Sequence, residues 1–488
     1  MEHVVDSDLN VKDITFLNNI KTVAVIGPSK KRDYFFLRNH QYSFKGKVYA
    51  VHLKLEEIPN FPEEDIYSSV SDIPEEVDFA FIAVPPKQVL TVMDDCVKKK
   101  VKLVTVFASE FSDAGTEEGK SLEEDLLKRA QNKVRILGPN GLGLFYPKIG
   151  MAWRPNFPTM EGNIGFIAQS GGICNIAIYS SLELGIRYSK VFSFGNGADL
   201  DFVDLLYFLI NDPETEIILC YIEGIKQGRI EVLRKILKDN KKPILVLKGG
   251  KSESGAEAAK THTASISGDD KIWKNFFRQY NIIEVDSLEQ LLHTARLIDC
   301  YGTFIARNLA VLSISGGYGV VLVDIIEKYG MKVPPFSLKT QREISERFFM
   351  PGTSSNNPLD FAAQFFAINS VQEIINIVLS DNDIDGLILD LPGFYLTLPP
   401  RIQDPTAFLN IVLNSLSLGH THQKPLIVIT QHLTRPKIIN EFLMELKQRN
   451  IPLFGDPLEF IPLLSKISNF KERVDKKLSK QPFKHEHS

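Results

Sequence analysis

β-type apolar runs alternate with segments whose apolar positions fall at helical spacing through the first part of the chain. The runs are Thr22–Ile26, Lys47–Val51, Phe79–Val84, Lys102–Phe107 and Val134–Leu137, and the clearest helical segments between them are Lys87–Lys99 and Thr116–Gln131. Strands separated by helices predict βαβ units and a parallel, doubly wound sheet. The first strand-to-helix turn is Val25-Ile26-Gly27-Pro28-Ser29, the place where such folds hold the phosphates of a nucleotide. The second and third glycines of the dinucleotide fingerprint are missing, so this turn alone is a weak signal.

A connection containing Pro147, Pro155, Pro158 and Gly162 leads into a second βα region. Ile164–Ala168 reads as a strand, Gln169-Ser170-Gly171-Gly172 as a tight turn, and Ile173–Leu184 as a helix closed by Gly185. A third region opens the same way, with strand Leu309–Ile314, turn Ser315-Gly316-Gly317, and helix Tyr318–Tyr329 closed by Gly330. In both, the helix-ending glycine follows the last glycine of the turn by thirteen residues. The recurrence reads as internal duplication of a flavodoxin-like unit, with chance repetition of a common βα turn as the alternative. Gly386–Leu391 and Pro425–Thr430 are further strands, with a helix over Ser370–Leu379 between.

The segment after the apolar run Pro243–Lys248 carries the most distinctive chemistry. It runs through Gly249-Gly250-Lys251-Ser252-Glu253-Ser254-Gly255-Ala256 to His262-Thr263-Ala264-Ser265 and reads as a loop of small residues presenting one histidine. A neutral imidazole can attack phosphorus, whereas a lone surface histidine in a polar loop does nothing. Two neighbours favour the first. Ser170-Gly171-Gly172 would offer backbone N–H groups at a helix N-terminus, an anion cradle. The strand Ile217–Ile222 ends in Glu223; by itself a solvated strand-end carboxylate, beside an imidazole it would fix the tautomer and stabilise the charge formed on phosphorylation.

Bulk properties narrow the class. The 488 residues suggest about two to four domains. The 44% hydrophobic and 24% charged content is that of a globular protein, and a net charge of −4 gives no case for nucleic acid or an anionic membrane. Lys98-Lys99-Lys100 and the tail Lys471–Lys484 read as solvated surface. Cys96, Cys174, Cys220 and Cys300 are far apart without metal-ligand spacing, so no metal site is expected. His420 and His422 read as loop residues, and His485 and His487 lie in the charged tail. Met1–Asn10 does not resemble a signal peptide and no apolar run reaches membrane-spanning length, which points to a cytoplasmic protein.

Several motifs together resemble the nucleoside-diphosphate-forming acyl-CoA synthetases. They are Ser193-Phe194-Gly195-Asn196-Gly197-Ala198-Asp199, Asp212-Pro213-Glu214-Thr215, Tyr221-Ile222-Glu223-Gly224, Ser254-Gly255-Ala256 and His262-Thr263-Ala264-Ser265. Gly138-Pro139-Asn140 matches the family's Gly-Pro-Asn motif, while Ser313–Gly319 and Asn357-Pro358-Leu359-Asp360 match the third domain of archaeal-type ADP-forming acetyl-CoA synthetases. The first two domains are also similar to the α subunit of succinyl-CoA synthetase. The resemblance covers roughly residues 15–470.

It implies a Rossmann-like CoA-binding domain over 1–150, a flavodoxin-like ligase domain with a phosphohistidine loop over 151–305, a second flavodoxin-like domain over 306–470, and a charged tail over 471–488. It implies His262 as nucleophile, Glu223 as its orienting carboxylate, and Ser170, Gly171 and Gly172 as phosphate ligands. Gly27, Ser29, Val84 and Pro85 would line the CoA site. The family's nucleotide site belongs to an ATP-grasp module for which this sequence has no room. The chain therefore looks like an α subunit that pairs with an ATP-grasp β subunit, as α2β2, the partner binding most of the ADP or ATP and Mg2+. Departures lie in the first domain: the first turn, Gly27 to Phe35, lacks the additional glycine the family usually places before its helix, Glu110 stands where relatives tend to have glycine, and Gly141 where they tend to have cysteine. Lys30, Lys31 and Arg32 either meet CoA phosphates or form a surface charge run. Two other functions stay open: a catalytically idle acyl-CoA-sensing or scaffold protein, and a biosynthetic ligase of the same mechanism for a different acid.

Overall fold

The computed structural model describes residues 9–52, 57–262, 270–348, 351–396, 405–431 and 440–479, with the backbone alone at 258–262 and at scattered positions beyond residue 360. The chain divides into two compact units, Met1–Leu288 and Glu289–Ser488.

Two sheets build the first unit. The first contains β1 (Thr22–Ile26), β2 (Lys47–Val51), β3 (Ile66–Tyr67), β4 (Phe79–Ile82), β5 (Leu103–Val106) and β6 (Arg135–Leu137), all parallel, in the order β3-β2-β1-β4-β5-β6. That is the dinucleotide-binding order, which reverses direction between β1 and β4. Every residue of β4 and β5 is buried, because helices cover both faces of a parallel sheet. On one face, Val89, Met93 and Cys96 of the helix Pro86–Lys99 pack in a single core with Ala24, Val104 and Val106, all fully buried. Their i, i+4, i+7 spacing made the helix legible, and each large apolar side chain so buried stabilises by about 1.5–3 kcal/mol.

The second sheet contains β7 (Gly143–Phe145), β8 (Ile164–Ala168), β9 (Tyr188–Ser193), β10 (Ile217–Ile222), β11 (Ile244–Lys248) and β12 (Ile283–Val285), in the order β12-β11-β10-β8-β9-β7. β7 pairs antiparallel to β9 at one edge. The Gly-Pro-Asn motif and the Ser193–Asp199 motif interlock between the two sheets. Asn196 N donates to Pro139 O at 3.0 Å, Ala198 N to Gly138 O at 3.0 Å, and Ile136 N to the Asp199 carboxylate at 2.8 Å. A Cβ on Gly195 would stand 2.3 Å from Pro139 O, so that glycine is required by close backbone approach. Asp212 and Glu214 of another motif receive the fully buried Lys190 ammonium, at 2.9 and 2.6 Å. These motifs are scaffold.

The second unit holds β13 (Leu309–Ser313), β14 (Leu359–Asp360), β15 (Gly386–Asp390), β16 (Leu426–Ile429) and β17 (Leu453–Phe454), all parallel, ordered β14-β13-β15-β16-β17. Its order matches that of β8–β12, the flavodoxin-like 2-1-3-4-5. Identical topology accompanies the repeated Ser-Gly-Gly turn, as duplication requires. Gly185 and Gly330 both end their helices with left-handed φ, +70° and +76°. Its core joins Leu312, Leu387 and Leu389 to Ile374, Ile375 and Val378 of the helix Ile368–Ser380.

Two expectations need correction. The segment before His262 is not a loop: Glu253–His262 is a helix. Ser252 starts it, its hydroxyl accepting from Gly255 N and its carbonyl from Ala256 N. Three alanines with Glu and Lys then outweigh Gly255 in helix propensity. His420 and His422 sit in the last turn of the helix Pro405–His422, not a loop; their rings meet Asn450 O and the Asn376 side chain. All four cysteines are free and buried, and burial pushes the Cys300 thiol up to about 12. His485 and His487 lie outside the described residues. Among the described residues no helix is long and apolar enough to cross a membrane.

Candidate active site

The turn after β1 forms one wall. Gly27 has φ +80°, its N–H donates to Val51 O at 3.0 Å, and a Cβ there would stand 2.6 Å from Val84 Cγ1. Only glycine lets the ends of β1 and β4 approach so closely. Pro85, next to Val84, caps the helix Pro86–Lys99. Ser29 opens a 3-10 turn over Lys30–Arg32, its carbonyl accepting from Arg32 N and Tyr34 N. Asp33 and Tyr34 then take left-handed φ of +46° and +53° before the next helix. Two non-glycine residues thus supply the reversal for which the fingerprint uses glycine. Glu110 shows the same substitution: its φ is +73°, a conformation that favours glycine, and Asp113 holds it there by accepting from Glu110 N and Phe111 N at 3.1 Å.

The opposite wall comes from the second sheet. The Ser170 hydroxyl accepts from Ile173 N and caps the helix Gly171–Leu184, leaving the first N–H groups of that helix without intrahelical acceptors. The two glycines differ. A Cβ on Gly171 would stand 2.8 Å from Leu142, whereas one on Gly172 would meet only Ser170 Oγ, at 3.7 Å. Glu223 follows β10 and is buried; its N–H donates to Gln169 Oε1 at 3.0 Å, and the Tyr221 hydroxyl donates to its carboxylate at 3.1 Å. Lys248, at the end of β11, donates to Glu223 O at 2.7 Å, and desolvation holds its ammonium below the usual lysine range.

Gly27, Ser29, Val84, Pro85, Ser170, Gly171, Gly172 and Glu223 all line one cavity of about 1730 Å3. The His262 side chain lies outside the described residues. Sequence reasoning missed other parts of the wall, among them Asn140, Arg154, Gln169 and Asn175. Lys98 is exposed, as expected, and also lines the cavity. The wall carries Lys30, Lys31, Arg32, Lys98 and Arg154, and no side chain of these five has a hydrogen bond or ion pair among the described residues. Elsewhere in the unit Arg135, Lys190 and Arg229 are paired. Unpaired cations gathered on a concave wall suit a polyanionic ligand. Asp95 on the same wall is half-buried, and desolvation raises its carboxyl, but hydrogen bonds from Ser69, Ser71 and Val70 N hold it below its ordinary range.

Residues 21–147 match the CoA binding domain family, and residues 161–298 the family described as succinyl-CoA ligase like flavodoxin domain. The chain is 32% identical over 461 residues to the acetate–CoA ligase [ADP-forming] I subunit alpha of Pyrococcus furiosus, covering 92% of this chain and 96% of that one. It is 33% identical over 470 residues to acetate–CoA ligase [ADP-forming] I of Archaeoglobus fulgidus, where it spans 94% of its own length and 64% of the relative's. Among solved structures, the dinucleotide forming acetyl-coenzyme A synthetase 1 of Korarchaeum cryptofilum, in complex with phosphate and ADP, superposes with a TM-score of 0.81 at 29% identity, covering 96% of this chain and 98% of that one.

Proposed function

The chain belongs to the ADP-forming acetate–CoA ligase family, and on that premise we propose that it is the α subunit of an ADP-forming acyl-CoA synthetase, interconverting acyl-CoA, phosphate and ADP with the carboxylic acid, CoA and ATP. The observation that carries this is the single cavity that joins the Gly27 turn to the Ser170-Gly171-Gly172 cradle and Glu223. Lys30, Lys31, Arg32 and Lys98 would neutralise the phosphates of CoA along the first wall, with its reactive sulfur toward the second. The subunit naming of the Pyrococcus relative supports a partner chain, which we assign as an ATP-grasp β subunit in an α2β2 assembly.

Three reversible steps follow. Phosphate oxygen attacks the thioester carbonyl; the C–S bond breaks, and CoA leaves as thiolate and takes up the phosphate's proton. His262 Nε2 then attacks phosphorus of the acyl phosphate; an N–P bond forms, the P–O bond to the acyl group breaks, and the carboxylate departs. Last, an oxygen of ADP takes the phosphoryl group on the partner subunit. The helix N–H groups behind Ser170 would hold the phosphoryl oxygens, and Glu223 would accept from His262 Nδ1–H and stabilise the phosphoimidazole. Positioning and charge neutralisation are what phosphoryl transfer asks of a protein. We assign Mg2+ to the nucleotide on the partner subunit, and no step here passes through it.

The test is to co-purify the chain with its β subunit, supply acyl-CoAs with phosphate and Mg2+ but no ADP, and weigh the intact protein. An acid-labile phosphate on the wild type, absent from His262→Ala, is expected. No loading from any acyl-CoA or from ATP would sink the enzyme and leave an acyl-CoA-sensing protein.

A further inference from the structure

Of the five unpaired cations on the cavity wall, four belong to the first sheet: Lys30, Lys31 and Arg32 after β1, and Lys98 at the end of the helix Pro86–Lys99. Arg154 comes from the other side. It lies between two residues anchored to the helix Gly171–Leu184. The buried Trp153 donates its indole N–H to Asn175 Oδ1 at 2.9 Å, and Pro155 O accepts from the Tyr179 hydroxyl at 3.0 Å. Asn39 Nδ2 donates to Trp153 O at 3.0 Å, and Phe157 packs edge-on against both Trp153 and Tyr179. Asn175 and Tyr179 are one turn apart in that helix, so the strap ties Arg154 to the helix that begins at the cradle, and Arg154 and the cradle line the same cavity. Arg154 is exposed, lines the cavity, and its side chain has no hydrogen bond or ion pair among the described residues.

We infer that Arg154 binds the carboxylate of the acid substrate. This rests on the synthetase reading. When the acid meets the phosphoryl group, two anions must lie side by side, and the helix N–H groups are committed to the phosphoryl oxygens. A guanidinium presents two parallel N–H donors that match a carboxylate, and its charge offsets the repulsion. With both flanking residues anchored, the backbone is already fixed and only side-chain freedom is lost on binding. Acetyl phosphate carries the same acyl oxygens and serves as the probe from the other direction.

The experiment compares wild type, Arg154→Met and Arg154→Lys, each co-purified with the β subunit. It measures phosphate loading of His262 from acetyl phosphate and from MgATP, the KM for acetate in the direction of thioester formation, and CoA binding by calorimetry. For Arg154→Met, the half-saturating acetyl phosphate concentration and the KM for acetate should rise by about tenfold or more. Loading from MgATP and the affinity for CoA should stay within about twofold. Arg154→Lys, which keeps the charge but not the fork, should fall between, and it decides the matter should the methionine variant fail to fold. Unchanged acetyl phosphate and acetate dependence overturns the assignment, as does a parallel fall in MgATP loading or CoA affinity. If the wild type itself takes no phosphate from either donor, the synthetase reading has failed instead.

Discussion

Gly171 and Gly172 are adjacent and identical, yet alanine should act on them in opposite ways. At Gly172 the added methyl would meet only Ser170 Oγ, at 3.7 Å, and the backbone is helical. Alanine there should raise stability by about 0.5–1 kcal/mol by restricting the unfolded chain. The same methyl, however, would project into the open space where the phosphoryl group is proposed to sit. Displacing an anion from preorganised donors costs about 10²-fold or more in rate. At Gly171 the methyl would stand 2.8 Å from both Cγ and Cδ1 of Leu142. Such overpacking costs about 1–3 kcal/mol; because Leu142 is only half-buried and can yield, the net loss should be about 1 kcal/mol. Urea unfolding followed by circular dichroism gives the stabilities, and phosphate loading of His262 from acetyl phosphate, the step assigned to the cradle, gives the function. Gly172→Ala should be the more stable protein and the poorer phosphoryl acceptor. Wild-type loading in Gly172→Ala would refute the cradle, and a destabilised Gly172→Ala would refute the packing analysis.

Lys190→Met should cost about 3–5 kcal/mol in urea unfolding, because it strips Asp212 and Glu214 of the buried ammonium they share; a loss below about 1 kcal/mol would contradict that. In the second unit, burial raises the Asp390 carboxyl to about 6, against a hydrogen bond from the Ser313 hydroxyl. A folded-state value above the unfolded one means the native state holds the extra proton. Asp390's contribution to stability is therefore full below the unfolded value and lost as pH rises from about 4 through 6. Asp390→Asn should flatten that dependence in unfolding curves taken across the window, and an unchanged slope would assign it to other groups.

Periodicity and punctuation were enough to show three αβ regions. Continuous apolar runs mark strands covered on both faces, the i, i+4, i+7 apolar positions of Pro86–Lys99 mark a helix, and glycines such as Gly185 and Gly330 mark its end. All are local signals, set by a few neighbouring residues. The family motifs identified the chemistry as well, although much of what they encode is scaffold, as the interlocked Gly138-Pro139-Asn140 and Phe194–Asp199 segments show. The helix before His262 was misread because glycine and serine dominate its start while alanine decides the rest. Strand order was not legible, since it depends on which apolar faces find each other across the chain. For the same reason only the tertiary structure could select Arg154. A lone arginine between Trp153 and Pro155 carries no local pattern. It matters because the helix Gly171–Leu184 anchors both of its neighbours and so sets an unpaired arginine on the wall of a cavity whose other side includes the Gly27 turn, more than a hundred residues away in sequence.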